Sequence, residues 1–279
     1  MPIIVNLSSI HTLHPVSKSV DAFVRLCNKY STGCFSSCPT LFKSWSNYAW
    51  VMYQYSMNEK KLIQPYKLGA ISTAQFLQNL LQIFPFLRDV RADEEALDGL
   101  NGGESYSHDF ALSLLENAWN EIIDLDATRI SRFRKLFAQA EIEPIYLISN
   151  TNELNVLKIL RLLKQQNPLI PFYTSLDLSV RDSKEPIEIA PNIFLCLSYR
   201  YQLFKTLPDN HSANPHSTTS LLNYLVKEQL SGVDTADISV VSQYPGDLAE
   251  ATKLGIIADK AIHSDYYFNS SGLDMKKNR

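Results

Sequence analysis

Three short apolar runs in this chain break off into small polar residues at their C-terminal ends. The clearest is Ile145-Tyr-Leu-Ile-Ser149, which passes through Asn150-Thr151-Asn152 into a segment with Leu154, Leu157, Leu160 and Leu163 spaced three apart. The pattern predicts a buried parallel strand followed by a helix, with Ser149, Asn150, Thr151 and Asn152 at the mouth of a sheet. Residues Pro2 to Val5, ending in Asn6-Leu7-Ser8-Ser9, and Asp237 to Gln243 repeat it at the two ends of the chain. In open α/β sheets ligands gather at this edge, near helix N-termini whose free N–H groups favour anions. An ordinary strand–N-cap–helix junction has the same pattern, so the edge alone decides nothing.

Between the first two strands the periodicity is helical. Val20, Phe23, Val24, Leu26 and Cys27 form one face, and an aromatic-rich segment follows from Phe42 to Tyr55. Ser72 with Gln75 three residues on predicts a capping box ahead of the stripe Phe76, Leu77, Leu80 and Leu81. An acidic, glycine-containing stretch from Ala92 to Asp109 is expected to be a loop. Helices are expected from about Phe110 and over Ala127–Ala140. After Asn152 come a helix to Leu163, strands near Leu169–Tyr173 and Ile193–Leu197, and a helix near Thr218–Glu228. A helix from Gly246 to Leu254 ending at Gly255, then a last strand at Ile256–Ala258, complete the pattern. The expected fold is α/β: a Rossmann-like parallel-sheet core (1–14 and 124–268) with an inserted α-helical cap (15–123) and a flexible tail (269–279).

Composition narrows the classes. The chain has 279 residues, 45% hydrophobic and 20% charged, with a formal net charge of −3, which gives no argument for nucleic acid or an anionic membrane surface. The longest nearly apolar run, Leu77–Leu87, carries glutamines and a proline and is too short to span a bilayer. Cys27, Cys34, Cys38 and Cys196 are too few and too uneven for a disulfide framework. The N-terminus lacks a basic segment with a long apolar core. A cytoplasmic protein is expected, with export by a route lacking a cleavable signal left open.

The order and spacing of five segments resemble the haloacid dehalogenase-like superfamily, in its helical-cap branch. They are Ile3-Ile-Val-Asn-Leu-Ser-Ser-Ile-His-Thr-Leu13, Tyr66-Lys-Leu-Gly-Ala-Ile-Ser-Thr-Ala-Gln-Phe76, Trp119-Asn120, Leu147-Ile-Ser-Asn-Thr-Asn152 and the helix ending Ala251-Thr-Lys-Leu-Gly255. The resemblance implies a phosphatase-like site in which one aspartate is the nucleophile, a second is the acid/base, and further carboxylates hold magnesium. This chain departs from that pattern. Asn6 stands at the nucleophile and Ser8 at the acid/base. Ser242 and Gln243 stand at the acidic pair, counted back from Gly255. An amide is a poor nucleophile, a hydroxyl does not shuttle protons near neutral pH, and magnesium prefers anionic oxygens. Asp247 falls at the start of the following helix, where N-terminal placement accounts for it.

The resemblance leaves the phosphate-gripping half: Ser149, Asn150, and Lys205 as the cation, with Arg200 as the alternative. An engineered substitution explains Asn6 alone but not Ser8, Ser242 and Gln243. The implied protein is a pseudo-phosphatase without a metal cofactor, a binding or regulatory module for a small anion, a phosphorylated ligand or a protein partner. The alternative is a hydrolase with weak or rerouted activity on a small phosphorylated substrate. Carboxylates at the sheet edge separate the two: Asp177, Asp182 or Asp247 beside Asn6 and Ser149 favours the enzyme. His11 with His14, or His211 with His216, lack a matching cysteine or carboxylate set for a metal. Cys34 and Cys38 lack zinc-site spacing, and Cys27 has no evident histidine partner. The run Trp45, Tyr48, Trp50, Tyr53 and Tyr55 reads as core or as a partner surface.

Overall fold

A computed structural model describes residues 1–10, 12–13, 16–30, 40–88, 90, 105–173, 178, 184–204 and 219–269. The strands are β1 (Ile3–Asn6), β2 (Thr12–Leu13), β3 (Ile123–Asp124), β4 (Ile145–Ser149), β5 (Ile187–Ala190), β6 (Ile193–Leu197), β7 (Ser239–Ser242) and β8 (Ala261–His263). Six of them form one sheet in the order β5-β6-β4-β1-β7-β8, while β2 and β3 form a two-stranded sheet. All neighbours in the large sheet are parallel except β5, which runs antiparallel to β6. The fold is therefore α/β, with a mostly parallel Rossmann-type sheet and many helices.

By internal contacts the chain divides into two compact units. One comprises Met1–Thr12, Lys67–Ala70 and Asp124–Arg279, and the other Leu13–Tyr66 and Ile71–Ile123. In the first, β1, β4 and β7 carry the central apolar residues Ile4, Val5, Leu147, Ile148, Val240 and Val241, all buried. Such two-faced burial is what a central parallel strand requires, and it explains runs without alternation. Parallel pairing brings the polar ends of these strands to one edge. Asn6 is level with Ile148, Ser149 with Leu197, and Val5 with Val241.

The second unit is built from the helices Val16–Tyr30, Thr40–Asn58, Thr73–Ile83 and Ser105–Trp119. Its interior is aromatic. Phe23 stacks on Phe84 at 4.9 Å, Tyr66 on Phe76 at 4.0 Å, and Trp119 meets Phe76 edge-on at 4.7 Å. The capping box expected at Ser72 forms, with Gln75 N donating to Ser72 Oγ and Ser72 N donating to Gln75 Oε1. Among the described residues no helix is long and apolar enough to cross a membrane.

The segment Lys67–Ala70 belongs to the sheet unit. Ser198 Oγ, just beyond β6, donates to the Lys67 carbonyl at 2.9 Å. Gly69 adopts φ +72°, and a Cβ there would lie 2.0 Å from the Tyr199 carbonyl oxygen. Only a residue without a side chain allows this backbone to pass.

Two expected strands are displaced. Residues 169–173 form no strand; Phe172 turns inward to stack on Phe133 at 5.6 Å, and Tyr173 N makes a single bond to the Ile189 carbonyl. The strand of this region is β5. The apolar pair Ile256–Ile257 is likewise not a strand. Gly255 ends the preceding helix at φ +90°, Ile256 drops into the core, and pairing with β7 starts only at Ala261.

Candidate functional site

β1 delivers Asn6 to the sheet edge and then tightens into a 3-10 turn, Leu7–Ser9. The Asn6 side chain caps that turn: its Oδ1 accepts from Ser8 N at 3.1 Å and from Ser8 Oγ at 2.8 Å. Its Nδ2 donates to Asp247 Oδ2 at 2.8 Å and to Ser242 Oγ at 3.2 Å. The two ends of the amide are not interchangeable, because a backbone N–H needs an acceptor and a carboxylate needs a donor. All four hydrogen-bonding positions of the amide are thus occupied within the protein.

Ser242, the last residue of β7, is equally committed. Its Oγ donates to Asp247 Oδ2 at 2.6 Å and accepts from Asn6 Nδ2 and, at 3.1 Å, from Tyr244 N. Gln243 Nε2 reaches Ser8 Oγ at 3.4 Å. Asn6, Ser8, Ser242 and Gln243, named from two separate stretches of sequence, therefore form one connected network. Asn6, Ser8 and Ser242 are buried, Ser242 only 1% exposed, and Gln243 is half-buried.

Asp247 corrects the sequence reading. It lies in the first turn of the helix Pro245–Lys253, as expected, but its carboxylate is buried and turned onto Asn6 and Ser242. The sheet edge is not neutral. Asp177 and Asp182, the other carboxylates considered, lie outside the described residues, as do Lys205, His11, His14, His211, His216, Cys34 and Cys38.

The turn carrying Ser8 is held from behind by two arginines that sequence reasoning missed. Arg129 and Arg132 both donate to the Ser9 carbonyl, at 3.0 and 3.3 Å. Arg132 also pairs with Asp265 and lies over the Phe268 ring at 5.1 Å. Its guanidinium holds the Asp265 carboxyl below the usual carboxylate range. Their i, i+3 spacing on the helix Ala127–Ala140 was the available signal, since it puts both on one face.

On the other side of Asn6, β4 ends at Ser149, which is buried, and Asn150 follows in an exposed position. Asn152 caps the next helix, Glu153–Gln166, with its Oδ1 accepting from Asn155 N at 3.0 Å. Ser198 Oγ ties the Thr151 carbonyl at 3.1 Å. Arg200, the alternative cation, is buried in the short helix after β6, and its charge is felt at Cys196 and Tyr201.

No cysteine of the described residues is poised as a nucleophile. Burial pushes both the Cys27 and the Cys196 thiol up to about 12. Among the described residues no group of three or more His, Cys, Asp or Glu side chains is placed to hold a metal ion.

No family model matches the sequence, and no curated protein matches it. Solved structures do. A structure of the HAD-family enzyme BT-2542 from Bacteroides thetaiotaomicron superposes with a TM-score of 0.51 at 12% identity, over 91% of this chain and 90% of that one. Its magnesium complex gives 0.51 at 13% identity over 100% and 98%. A third structure of it, with magnesium and inorganic phosphate, gives 0.50 at 12% identity. At such identities the likeness concerns the fold: this chain, with its mostly parallel six-stranded sheet and many helices, has the haloacid dehalogenase-like fold.

Proposed function

We propose that this protein is a pseudo-phosphatase, a binding or regulatory module that uses the sheet edge to hold a small anion or phosphorylated ligand without covalent catalysis. The observation that carries the reading is the Asn6 amide. It stands where the family resemblance puts the nucleophile, it bears no charge, and both its oxygen and its nitrogen are saturated by Ser8, Ser242 and Asp247. A group with no uncommitted lone pair cannot attack phosphorus.

Magnesium is outside this reading as well. The donors around Asn6 are an amide, two hydroxyls and one carboxylate whose Oδ2 already accepts two hydrogen bonds. Magnesium takes octahedral oxygen ligands, preferably anionic, and this set does not fit it. The BT-2542 complex holds magnesium together with inorganic phosphate; here the phosphate half alone is proposed to remain, as Ser149, the Asn150 backbone and Lys205 as the cation, with Arg200 as the alternative. A cytoplasmic setting and a protein partner belong to the same reading; nucleic acid and membrane do not.

Asp247 beside Asn6 is the carboxylate that favours a rerouted hydrolase, and Ser242 Oγ donates to it at 2.6 Å, as a serine facing a general base would. Yet that oxygen also accepts from Asn6 and Tyr244 and is 1% exposed, which leaves it neither lone pair nor approach.

Titration calorimetry with inorganic phosphate tests the proposal. Binding should be the same with magnesium and with a chelator, and Ser149→Ala should weaken it by about tenfold, the loss of one hydrogen bond to a charged group. Binding that appears only with magnesium would contradict it.

A further inference from the structure

In the helical unit, the Thr40–Asn58 helix is inverted relative to an ordinary surface helix. Its inward side carries Asn47, Gln54 and Asn58, half-buried, with Asn47 Nδ2 donating to Asn28 Oδ1 and Asn58 Nδ2 to the Gln54 carbonyl. Val51 is buried and Trp50 meets Phe84 edge-on at 5.4 Å, so this side already supplies the helix's packing within the unit. The outward side carries Trp45, Tyr48, Met52, Tyr53 and Met57, with exposures of 69%, 38%, 40%, 58% and 51%. Their spacing, with Ala49 and Ser56 filling the gaps, follows one stripe about 18 Å long. Large apolar side chains gathered on one exposed stripe mark an interaction surface rather than scattered surface hydrophobes.

We infer that this stripe is the contact of a symmetric homodimer, in which the helix packs antiparallel against the same helix of a second copy. Three features favour a second copy over a different protein. From Ser44 to Asn58 there is no charged residue, so the stripe meets itself without like-charge repulsion and offers nothing to select a charged partner. A twofold axis near position 51 sets Trp45 against Met57 and Tyr53 against Ala49, large beside flexible or small, with sulfur against an aromatic ring. With side chains of about 150–250 Å² each, the exposures leave about 500 Å² per copy to be covered, or about 1,000 Å² for the pair. That reaches the lower bound of a specific interface and exceeds an adventitious contact. Contacts at this low end of the size range belong to the weak, transient class.

Sedimentation equilibrium of the full chain at about 1–200 µM tests the inference, since that range brackets a dissociation constant of about 10 µM. The mass should rise from 31.7 kDa toward twice that value. Met52→Lys and Tyr53→Lys should stay monomeric throughout, with unchanged circular dichroism, because both side chains lie on the exposed stripe. Met52 lies nearest the axis, so an equimolar mixture of Met52→Lys and Met52→Glu should regain the dimer. A wild type monomeric at the highest concentration overturns the inference, as does a dimer indifferent to Met52→Lys. Charge variants that fail to pair when mixed overturn it too.

Discussion

Restoring a carboxylate at position 6 is the sharpest perturbation of the sheet edge. In Asn6→Asp one carboxylate oxygen still accepts from Ser8, but the other replaces a donor that lies 2.8 Å from Asp247 Oδ2. Two charges at that distance repel by about 6 kcal/mol at an effective dielectric of about 20. The protein escapes part of this by keeping one proton on the pair, which raises the folded-state pKa of the new carboxyl above its unfolded value. The sign follows from linkage. The folded state then binds more protons than the unfolded state, so stability is retained below about pH 3.9 and lost at about 1.4 kcal/mol per unit as pH rises. The loss is about 4 kcal/mol at pH 7 and about 1.5 kcal/mol at pH 5. For a chain of this length that lowers Tm by about 10 °C at pH 7 and about 4 °C at pH 5. Melting curves of wild type and variant at the two pH values read this directly. Millimolar magnesium should recover part of the loss in the variant and leave the wild type unmoved, since only the variant offers paired carboxylates. A variant as stable as wild type at pH 7, or one equally destabilised at both pH values, would refute the contact between positions 6 and 247.

Other consequences follow from the same geometry. Gly69→Ala places a Cβ 2.0 Å from the Tyr199 carbonyl at a left-handed φ and should cost about 3 kcal/mol in urea unfolding; a cost under about 1 kcal/mol would show that the Lys67–Ala70 segment does not pass there. The Arg132 guanidinium depresses the Asp265 carboxyl, so this pair contributes stability above the unfolded carboxylate pKa and loses it as pH falls below about 4. Asp265→Asn should therefore flatten the acid limb of the stability profile, by no more than about 1 kcal/mol because Asp265 is 61% exposed. Cys27 and Cys196, with thiols pushed up to about 12, should resist iodoacetamide at pH 8 in the native protein and react on unfolding, as peptide mapping would reveal; rapid native labelling of either would contradict their burial.

The sequence announced the strands whose burial is complete. β1 and β4 start as apolar runs because the faces of a central parallel strand are covered, and each ends where polar residues begin; β7 has its apolar pair Val240–Val241 between two buried serines. A cap with a local signature was equally legible, Ser72 with Gln75. What failed was apolar sequence with a different use. Phe172, half-buried against Phe133, and Ile256, in the core, look like strand residues but sit on irregular backbone. Asp247 was misjudged for a related reason. A carboxylate in the first turn of a helix is sufficiently explained by the helix, and nothing local tells that β1, some 240 residues away, aims an amide at it. Arg129 and Arg132 showed only a shared helix face and not their target, because their common acceptor is a backbone carbonyl 120 and 123 residues distant. The outward stripe on the Thr40–Asn58 helix shows the reverse case: aromatic periodicity locates a face but does not say which way it points.

The central claim is that the sheet edge has kept its scaffold and lost its chemistry, and aryl phosphate hydrolysis with magnesium tests it most directly. Wild type, the double variant Asn6→Asp/Ser8→Asp, and that double variant with Ser149→Ala should be assayed together. The expected result is a silent wild type, magnesium-dependent turnover in the double variant, and loss of that turnover once Ser149 is removed. Magnesium-dependent turnover by the wild type, abolished by Ser149→Ala, would contradict it.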